Sequence, residues 1–274
     1  MFDRYFYDNA GTIVDRTIPW SNPYTATGAW DAKTYIYVSS YFPFNHKFID
    51  IDAANDQAGT LSIEVWYNSA WTAVADIVDY TAGSTYSLEN SGNIFFTQDE
   101  DKGWDEKDDS SDITELADTK VYNAYWMRIG YGASSASALE INYVGHRFCD
   151  DNALHSFYPQ FNNSSMLTRF KAGKTNWTEQ EISASDAIIS DLRSRNLILS
   201  KDQILDSKRY ELPCVHKTAE IIFAGMGRSF DDDRIVARKQ YDESMNTGGF
   251  AIDQNADGNY DRVEKTANCK RMTR

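Results

Sequence analysis

The residues whose types and spacing could do chemistry lie near the C-terminal end of the sequence, from Asp253 to Glu264. This stretch follows the spacing of the twelve-residue calcium loop, with Gly258 at its sixth position. Ca²⁺ is a hard cation that takes about six to eight oxygen ligands, which this spacing wraps around one centre. We therefore predict a candidate calcium site, with ligands Asp253, Asn255, Asp257, Asn259, Asp261 and Glu264. The alternative is an Asx-rich tight turn without a metal, in which Gly258 supplies a positive φ.

Sequence patterns for catalysis are absent elsewhere. The four histidines show no HExxH motif or paired spacing, and the chain has no GxSxG elbow, P-loop or GxGxxG motif after a strand. His146 and Cys149 are close enough in sequence to suggest a Cys/His nucleophile, but we expect both to serve in packing. The acidic segment 99–112 could gather a cation, yet such a charge run is typical of a solvated loop. We therefore predict no enzymatic activity and, calcium apart, no cofactor.

Length and charge narrow the class of protein. A chain of 274 residues exceeds one typical domain, so two domains are expected. Residues 151–274 are electrically balanced, and the net charge of -14 therefore arises in residues 1–150. An acidic half is unsuited to wrapping DNA, because phosphate contacts need clustered Lys and Arg. The three cysteines lie far apart, which argues against a disulfide framework and suits a reducing cytosol.

The elements that must position these residues begin with β structure over about 30–148. Leu61 to Val65 alternates apolar and polar residues with period two, as a half-buried strand does. The strand continues to an Asn68-Ser69 turn, and the following run from Trp71 predicts a hairpin. Further strands are predicted at 34–38, 93–97, 124–129 and 139–144, with the acidic run 99–109 as an exposed loop.

Helical signals begin after residue 176. Thr178 with Glu181, and Ser200 with Gln203, match the capping-box pattern and predict two helix starts. Pro213 opens a third helix at a favoured first-turn position, and an Asp run opens a fourth. The predicted staples are Trp177 with Ile182 and Leu199 with Ile204; the predicted apolar faces are Val215, Ala219, Ile222, Phe223 and Met226, then Ala237, Tyr241 and Met245.

These signals predict an α+β protein: an N-terminal antiparallel β-sandwich domain followed by a small α-helical bundle and an extended C-terminal tail. The predicted boundaries are an extended arm at 1–28, the β-sandwich at 29–150, a connecting segment at 151–176, the helical domain at 177–249 and the tail at 250–274.

Two groups of short motifs, covering most of the chain, resemble known virion proteins. In the β half they are Pro43–Asp50, Ala53–Asp56, Leu61–Trp71, Asp101–Trp104 and Tyr143–Phe148; in the helical half they are Ser185–Arg193, Gln203–Leu205, Ala219–Gly227 and the aspartate-rich Ile252–Gly258. On these motifs the chain resembles the head-tail connector (neck or adaptor) proteins of tailed bacteriophages. Its β half departs from a minimal connector, which is mostly helical.

The resemblance implies a structural protein of a phage neck, a ring of about twelve copies that joins portal to tail and lets double-stranded DNA pass without sequence-specific binding. It implies the portal protein and adjacent neck or tail proteins as partners, and no membrane. The protein would be made in the host cytoplasm and reside at the head-tail junction of the virion. The residues expected at the portal interface are Phe250, Ile252, Arg262, Lys265, Lys270, Arg271 and Arg274.

The alternative is a β-sandwich appendage of the virion, for a collar or tail fibre, that binds glycans. In that case Trp66, Trp71 and Trp104 would stack on sugar rings, whereas we expect them in the core or at a subunit interface. The helical half favours the connector, because an appendage does not need it. A virion hydrolase built on the acidic loop is a third and weaker hypothesis.

Overall fold

A computed structural model describes residues 4–9, 12–15, 24–26, 35–97, 105–132, 139–247 and 252–253. The chain divides into two compact units, one running up to Gly145 and the next starting at His146. Antiparallel strands form the first unit and helices dominate the second, so the predicted α+β class is confirmed.

Two antiparallel sheets make up the first unit. Their strands are β1 Arg4–Asn9, β2 Thr12–Asp15, β3 Tyr24–Ala26, β4 Tyr35–Ser40, β5 His46–Ala53, β6 Leu61–Tyr67, β7 Ala70–Ala73, β8 Ala75–Asp79, β9 Gly92–Thr97, β10 Lys107–Asp109, β11 Tyr122–Tyr131 and β12 Leu139–Gly145. Within the described residues, one sheet has the order β2-β1-β4-β11-β6-β7, with β10 paired to β11, and the other has the order β3-β12-β5-β9-β8.

Side chains from both sheets enter one hydrophobic cluster. Ile63 and Ile129 come from the first sheet and Ile49 and Ile141 from the second, all at most 1% exposed. The period-two pattern of β6 is confirmed, because Leu61, Ile63 and Val65 join this cluster while Trp66 joins a second one. Burial of this kind is the main favourable contribution to folding.

The predicted hairpin after β6 is also confirmed. β6 pairs with β7 in a register that places Tyr67 opposite Ala70. The two residues between them, Asn68 and Ser69, have φ values of 51° and 61°. Positive φ at both central positions matches the twist of the flanking strands, and Asn is among the residues that tolerate it best.

In two places the first unit differs from the predicted organisation. Residues 1–28 were expected to form an arm, but β1 pairs with β4 and β3 pairs with β12, so this segment contributes strands to both sheets. In the acidic segment, β10 pairs with β11, and Ser110 after it is buried and accepts a hydrogen bond from the Val121 N–H. The charge pattern of this segment predicted a loop, but pairing with β11 gives hydrogen-bond partners to the backbone N–H and C=O groups of β10.

The second unit contains α1 Asp151–Phe157, α2 Ser164–Phe170, α3 Thr178–Ser194, α4 Glu211–Met226 and α5 Asp231–Thr247, together with 3-10 turns at Pro159–Asn162, Lys201–Gln203, Ser207–Tyr210 and Arg228–Phe230. The segment 151–176 was predicted to be a connection, but α1 and α2 lie within it. Leu154 and Phe161 from this segment are fully buried in the helical core, so it belongs to the bundle.

The apolar faces of the last two helices are confirmed. The five predicted residues of α4 and the three of α5 are all buried, and all belong to the core of the second unit. Gly227 ends α4 with a φ of 88°, a backbone conformation that favours glycine. The period of 3.6 residues therefore located these helices correctly.

The two capping-box predictions had different outcomes. The Ser200 hydroxyl and the Gln203 side chain form a capping box, although it caps a 3-10 turn and not an α-helix. At α3 the helix cap is Trp177, which makes no side-chain capping bond, and Thr178 is already the first helical residue. Glu181 is fully buried, which takes it away from the cap and into the interior.

Candidate functional site

The last described residues of the chain are held by the turn at 200–204. Ile252 forms an isolated antiparallel bridge with Ile204, and both side chains are at most 1% exposed. The Asp253 N–H donates to the Gln203 carbonyl oxygen at 2.8 Å, and Asp253 itself is fully buried. We call this arrangement, Ser200–Ile204 with Ile252–Asp253, the C-terminal anchor. It sets the point from which residues 254–274 continue.

Gln203 joins the two segments of the C-terminal anchor through its side-chain amide. Its Nε2 donates to the Asp253 carbonyl oxygen at 2.7 Å. Its Oε1 accepts from the backbone N–H groups of Leu199, at 2.7 Å, and Ser200, at 3.0 Å. One buried amide therefore satisfies three backbone groups, each of which would be costly to leave unpaired. Leu199 is 78% exposed, so the staple predicted with Ile204 does not form.

A buried polar pair supports the anchor from the adjacent position. His146 Nε2 and Asp202 Oδ1 are 3.1 Å apart, and both side chains are fully buried. The Ser200 hydroxyl donates to the other carboxylate oxygen of Asp202 at 3.4 Å. A carboxylate that accepts several hydrogen bonds in the interior fixes the geometry of the groups around it.

A second buried pair lies at the start of α3. Arg147 Nη1 donates to Glu181 Oε2 at 3.2 Å, and the Glu181 side chain is fully buried. Burial raises the pKa of Glu181 well above its usual range, the nearby Arg147 opposes this, and Asp151 raises it further. Burial therefore disfavours the charged form of Glu181 in the folded protein. The capping-box pattern had placed this side chain at the helix N-terminus, where it would be solvated.

The structure assigns the candidate nucleophile residues to separate partners. The Cys149 thiol donates to Cys214 Sγ at 2.9 Å, whereas His146 pairs with Asp202. Among the described residues, no group of three or more His, Cys, Asp or Glu side chains could hold a metal ion.

An aromatic and charged cluster occupies one sheet of the first unit. Trp66 and Trp71 meet edge to face with ring centroids 5.2 Å apart. The Arg128 guanidinium lies 4.1 Å from the Tyr35 ring centroid and 4.7 Å from that of Trp71, and Arg128 Nε donates to Glu64 Oε2 at 2.7 Å. Trp66 is only 7% exposed, which supports the expected role in packing over sugar stacking.

Most of the predicted site residues lie outside the described part of the chain. Asp253 and Ile252 are the exceptions, and both belong to the C-terminal anchor. Outside it lie the remaining calcium-loop residues Asn255, Asp257, Asn259, Asp261 and Glu264, the portal-interface residues Phe250, Arg262, Lys265, Lys270, Arg271 and Arg274, and Trp104. The calcium loop and its alternative therefore both stay predictions.

Comparison of the chain with protein-family models, with curated proteins and with solved structures finds no match. In the part of the chain that the structure describes, no helix is both long and apolar enough to cross a membrane.

Proposed function

We propose that the protein is a structural component of a phage neck, a connector that joins the portal to the tail. The observation that carries this proposal is the C-terminal anchor, in which Gln203 and Ile204 hold Ile252 and Asp253. The last ten residues of the chain, KTANCKRMTR, carry four basic and no acidic side chains. A basic segment that starts from a fixed point suits insertion into a neighbouring subunit.

The anchor favours such an insertion because it reduces the conformational entropy that the inserting segment loses on binding. A segment that becomes ordered on binding gives up conformational freedom, which reduces its affinity for the partner. Because Ile252 and Asp253 are already held in the second unit, a segment that starts after them has one end fixed before it inserts into a partner. Five of the seven predicted interface residues follow this point, namely Arg262, Lys265, Lys270, Arg271 and Arg274, whereas Phe250 and Ile252 precede it.

The first unit contributes an acidic β-domain to the proposed ring. Because both of its sheets supply one hydrophobic cluster, we propose that they pack face to face as a β-sandwich. Its sequence carries the whole net charge of -14. Acidic surfaces repel phosphate, which suits a conduit through which double-stranded DNA slides without sequence-specific binding. The role is structural, without catalysis, and the site of action is the head-tail junction of the virion.

The native mass of the purified full-length protein tests this proposal, alone and mixed with the portal protein of the same particle. We expect a monomer that assembles into a ring of about twelve copies when the portal is present. A stable trimer that ignores the portal would contradict the connector and favour the appendage.

A deletion of residues 254–274 sharpens the test, because it leaves the whole anchor in place. We expect it to abolish portal binding while the chain stays folded, as judged by circular dichroism. Its matched control is the full-length chain with Lys265→Gln, Lys270→Gln, Arg271→Gln and Arg274→Gln, which keeps the segment and removes the four basic charges of its last ten residues. If the deletion binds the portal as the parent does, the segment has no part in docking.

A further inference from the structure

Two thiols meet in the core of the second unit. Cys149, in the segment just before α1, and Cys214, in the first turns of α4, are both free cysteines. Cys149 is 5% exposed and Cys214 is fully buried. Their sulfur atoms are 2.9 Å apart, which is about 0.9 Å longer than a disulfide bond. Cysteines this close need only a small adjustment to become covalently linked.

Polar groups from α3 and α4 surround the pair. Ser185 Oγ lies 3.5 Å from Cys214 Sγ, and Thr218 Oγ1 lies 3.6 Å from Cys149 Sγ. The Cys214 thiol also reaches the Glu181 carbonyl oxygen at 3.7 Å. Burial raises the pKa of Cys149, whereas for Cys214 burial is outweighed by the hydrogen bonds of Cys149, Ser185 and Thr218, which lower the pKa. Because the Cys149 thiol donates its hydrogen bond to Cys214 Sγ, the two sulfurs are not equivalent, and we assign Cys214 as the one that becomes the thiolate.

We propose that Cys149 and Cys214 form a redox modification site that a hydroperoxide converts to a disulfide. The Cys214 thiolate attacks one oxygen of the peroxide, an S–O bond forms, and the O–O bond breaks. Cys214 becomes a sulfenic acid, and the other oxygen of hydrogen peroxide leaves as hydroxide, which takes up the proton lost by the Cys214 thiol and becomes water. The Cys149 sulfur attacks Cys214 Sγ, the S–S bond forms, and the S–O bond breaks. The hydroxide that leaves takes the proton of Cys149, so two thiols and one peroxide give one disulfide and two waters.

Burial sets the rate of this reaction and the effect of its product. Because both thiols are shielded, peroxide reaches them when the second unit opens locally, so that the pair reacts more slowly than an exposed thiol. The disulfide would link positions 65 residues apart in the chain, which constrains the unfolded state strongly. The timing of the reaction rests on the proposed function: as part of a phage neck, the two thiols stay reduced in the host cytosol and form the disulfide after the virion is released.

The test uses the reduced full-length chain, hydrogen peroxide, and alkylation with N-ethylmaleimide after unfolding. We expect the oxidised protein to take up the reagent at two fewer cysteines than the reduced protein. Trypsin should release the peptides 148–169 and 210–217 as one linked species, which dithiothreitol separates. The urea midpoint of the second unit should rise by about 1–2 M on oxidation and return on reduction.

Matched variants assign the effect to this pair. Cys269→Ala keeps both proposed thiols and should behave as the parent, whereas Cys214→Ala should show no linked peptide and no rise in midpoint. The peptide map of the parent decides the question even if Cys214→Ala fails to fold. Free Cys149 and Cys214 after peroxide treatment, a link that involves Cys269, or a sulfinic acid in place of the link would each overturn the proposal. None of these measurements involves the portal, so their failure is distinguishable from failure of the connector.

Discussion

The two units each contain an arginine–glutamate pair, and the pairs differ in their surroundings. In the first unit Arg128 and Glu64 retain 13% and 21% of their side-chain exposure, and the guanidinium also contacts Tyr35 and Trp71. In the second unit Arg147 is 11% exposed while Glu181 has no exposure at all. The same two side-chain types therefore meet at a partly hydrated aromatic face in one region and in a closed core in the other.

This difference decides what each pair contributes to stability. A partly exposed pair gains little net free energy, because water screens the attraction and the aromatic rings already hold the guanidinium in place. A buried carboxylate has lost its hydration, and the attraction of its arginine only compensates for that loss. We therefore expect the first pair to be nearly dispensable and the second to be costly to break.

The largest effect is expected for Arg147→Met. The change leaves Glu181 buried without the arginine, so the free energy of unfolding should fall by about 3–5 kcal/mol. Urea unfolding followed by circular dichroism measures this difference. The control is the double variant Arg147→Met with Glu181→Gln, in which no buried charge remains and most of the loss should be recovered. A double variant as unstable as Arg147→Met alone would show that packing of the arginine, not charge, is responsible.

A smaller effect is expected in the pH dependence of Glu181→Gln. Burial raises the pKa of Glu181 in the folded state above its usual value of 4.5, so the folded state binds this proton more tightly than the unfolded state does. Below pH 4.5 Glu181 is protonated in both states and does not change the free energy of unfolding. As the pH rises from there to the folded-state pKa, ionisation favours the unfolded state, and the free energy of unfolding falls. The stability of the parent relative to Glu181→Gln should therefore fall across that interval, as urea unfolding at several pH values measures.

Glu179, two residues away in the same turn of α3, provides the control with the opposite sign. Burial is the largest single influence and raises its pKa, but the hydrogen bond and charge of Lys174, with the charge of Lys171, together lower the pKa overall. Its stabilising contribution is present above pH 4.5 and disappears as the pH falls through the folded-state pKa. The parent relative to Glu179→Gln should thus lose stability on acidification. Profiles of equal sign for the two variants would contradict the contrast between a buried and a solvated carboxylate.

The smallest effect is expected for Glu64→Gln. The substitution removes one of the two carboxylates that face Arg128 but keeps a hydrogen-bond acceptor, while Glu115, 3.8 Å away, and the two aromatic rings continue to hold the guanidinium. The free energy of unfolding should change by no more than about 1 kcal/mol, and the change should shrink further in high salt. A loss as large as that of Arg147→Met, measured by the same urea titration, would remove the distinction between the two regions.

Local patterns in the sequence predicted the elements but not the contacts between distant ones. The apolar face of α4 followed from a spacing of 3.6 residues, and the turn at Asn68-Ser69 followed from two neighbouring residue types. Strand pairing of β1 and β3 had no such signal, because it depends on partners elsewhere in the chain.

In the candidate site, too, the sequence predicted local hydrogen bonds but not long-range ones, as one glutamine and one glutamate show. Gln203 was predicted in its capping box, yet its bond to Asp253, 50 positions further along the chain, has no local signal. Glu181 stood in the same pattern, but a long-range contact with Arg147 placed it in the interior. A capping-box motif specifies a favourable hydrogen bond, and tertiary packing decides whether the side chain makes that bond or another one.

The C-terminal anchor also has a mechanical consequence. The bridge between Ile204 and Ile252 closes the chain on itself, so that α4 and α5 lie within the closed stretch. Tension applied to the residues beyond Asp253 enters the second unit through the bridge and the two hydrogen bonds that join Asp253 to Gln203, one to its carbonyl oxygen and one from its side-chain amide. It therefore pulls on the turn at 200–204 and leaves α5 unstretched until these bonds break. The anchor therefore protects α5 from a force applied to the C-terminal segment.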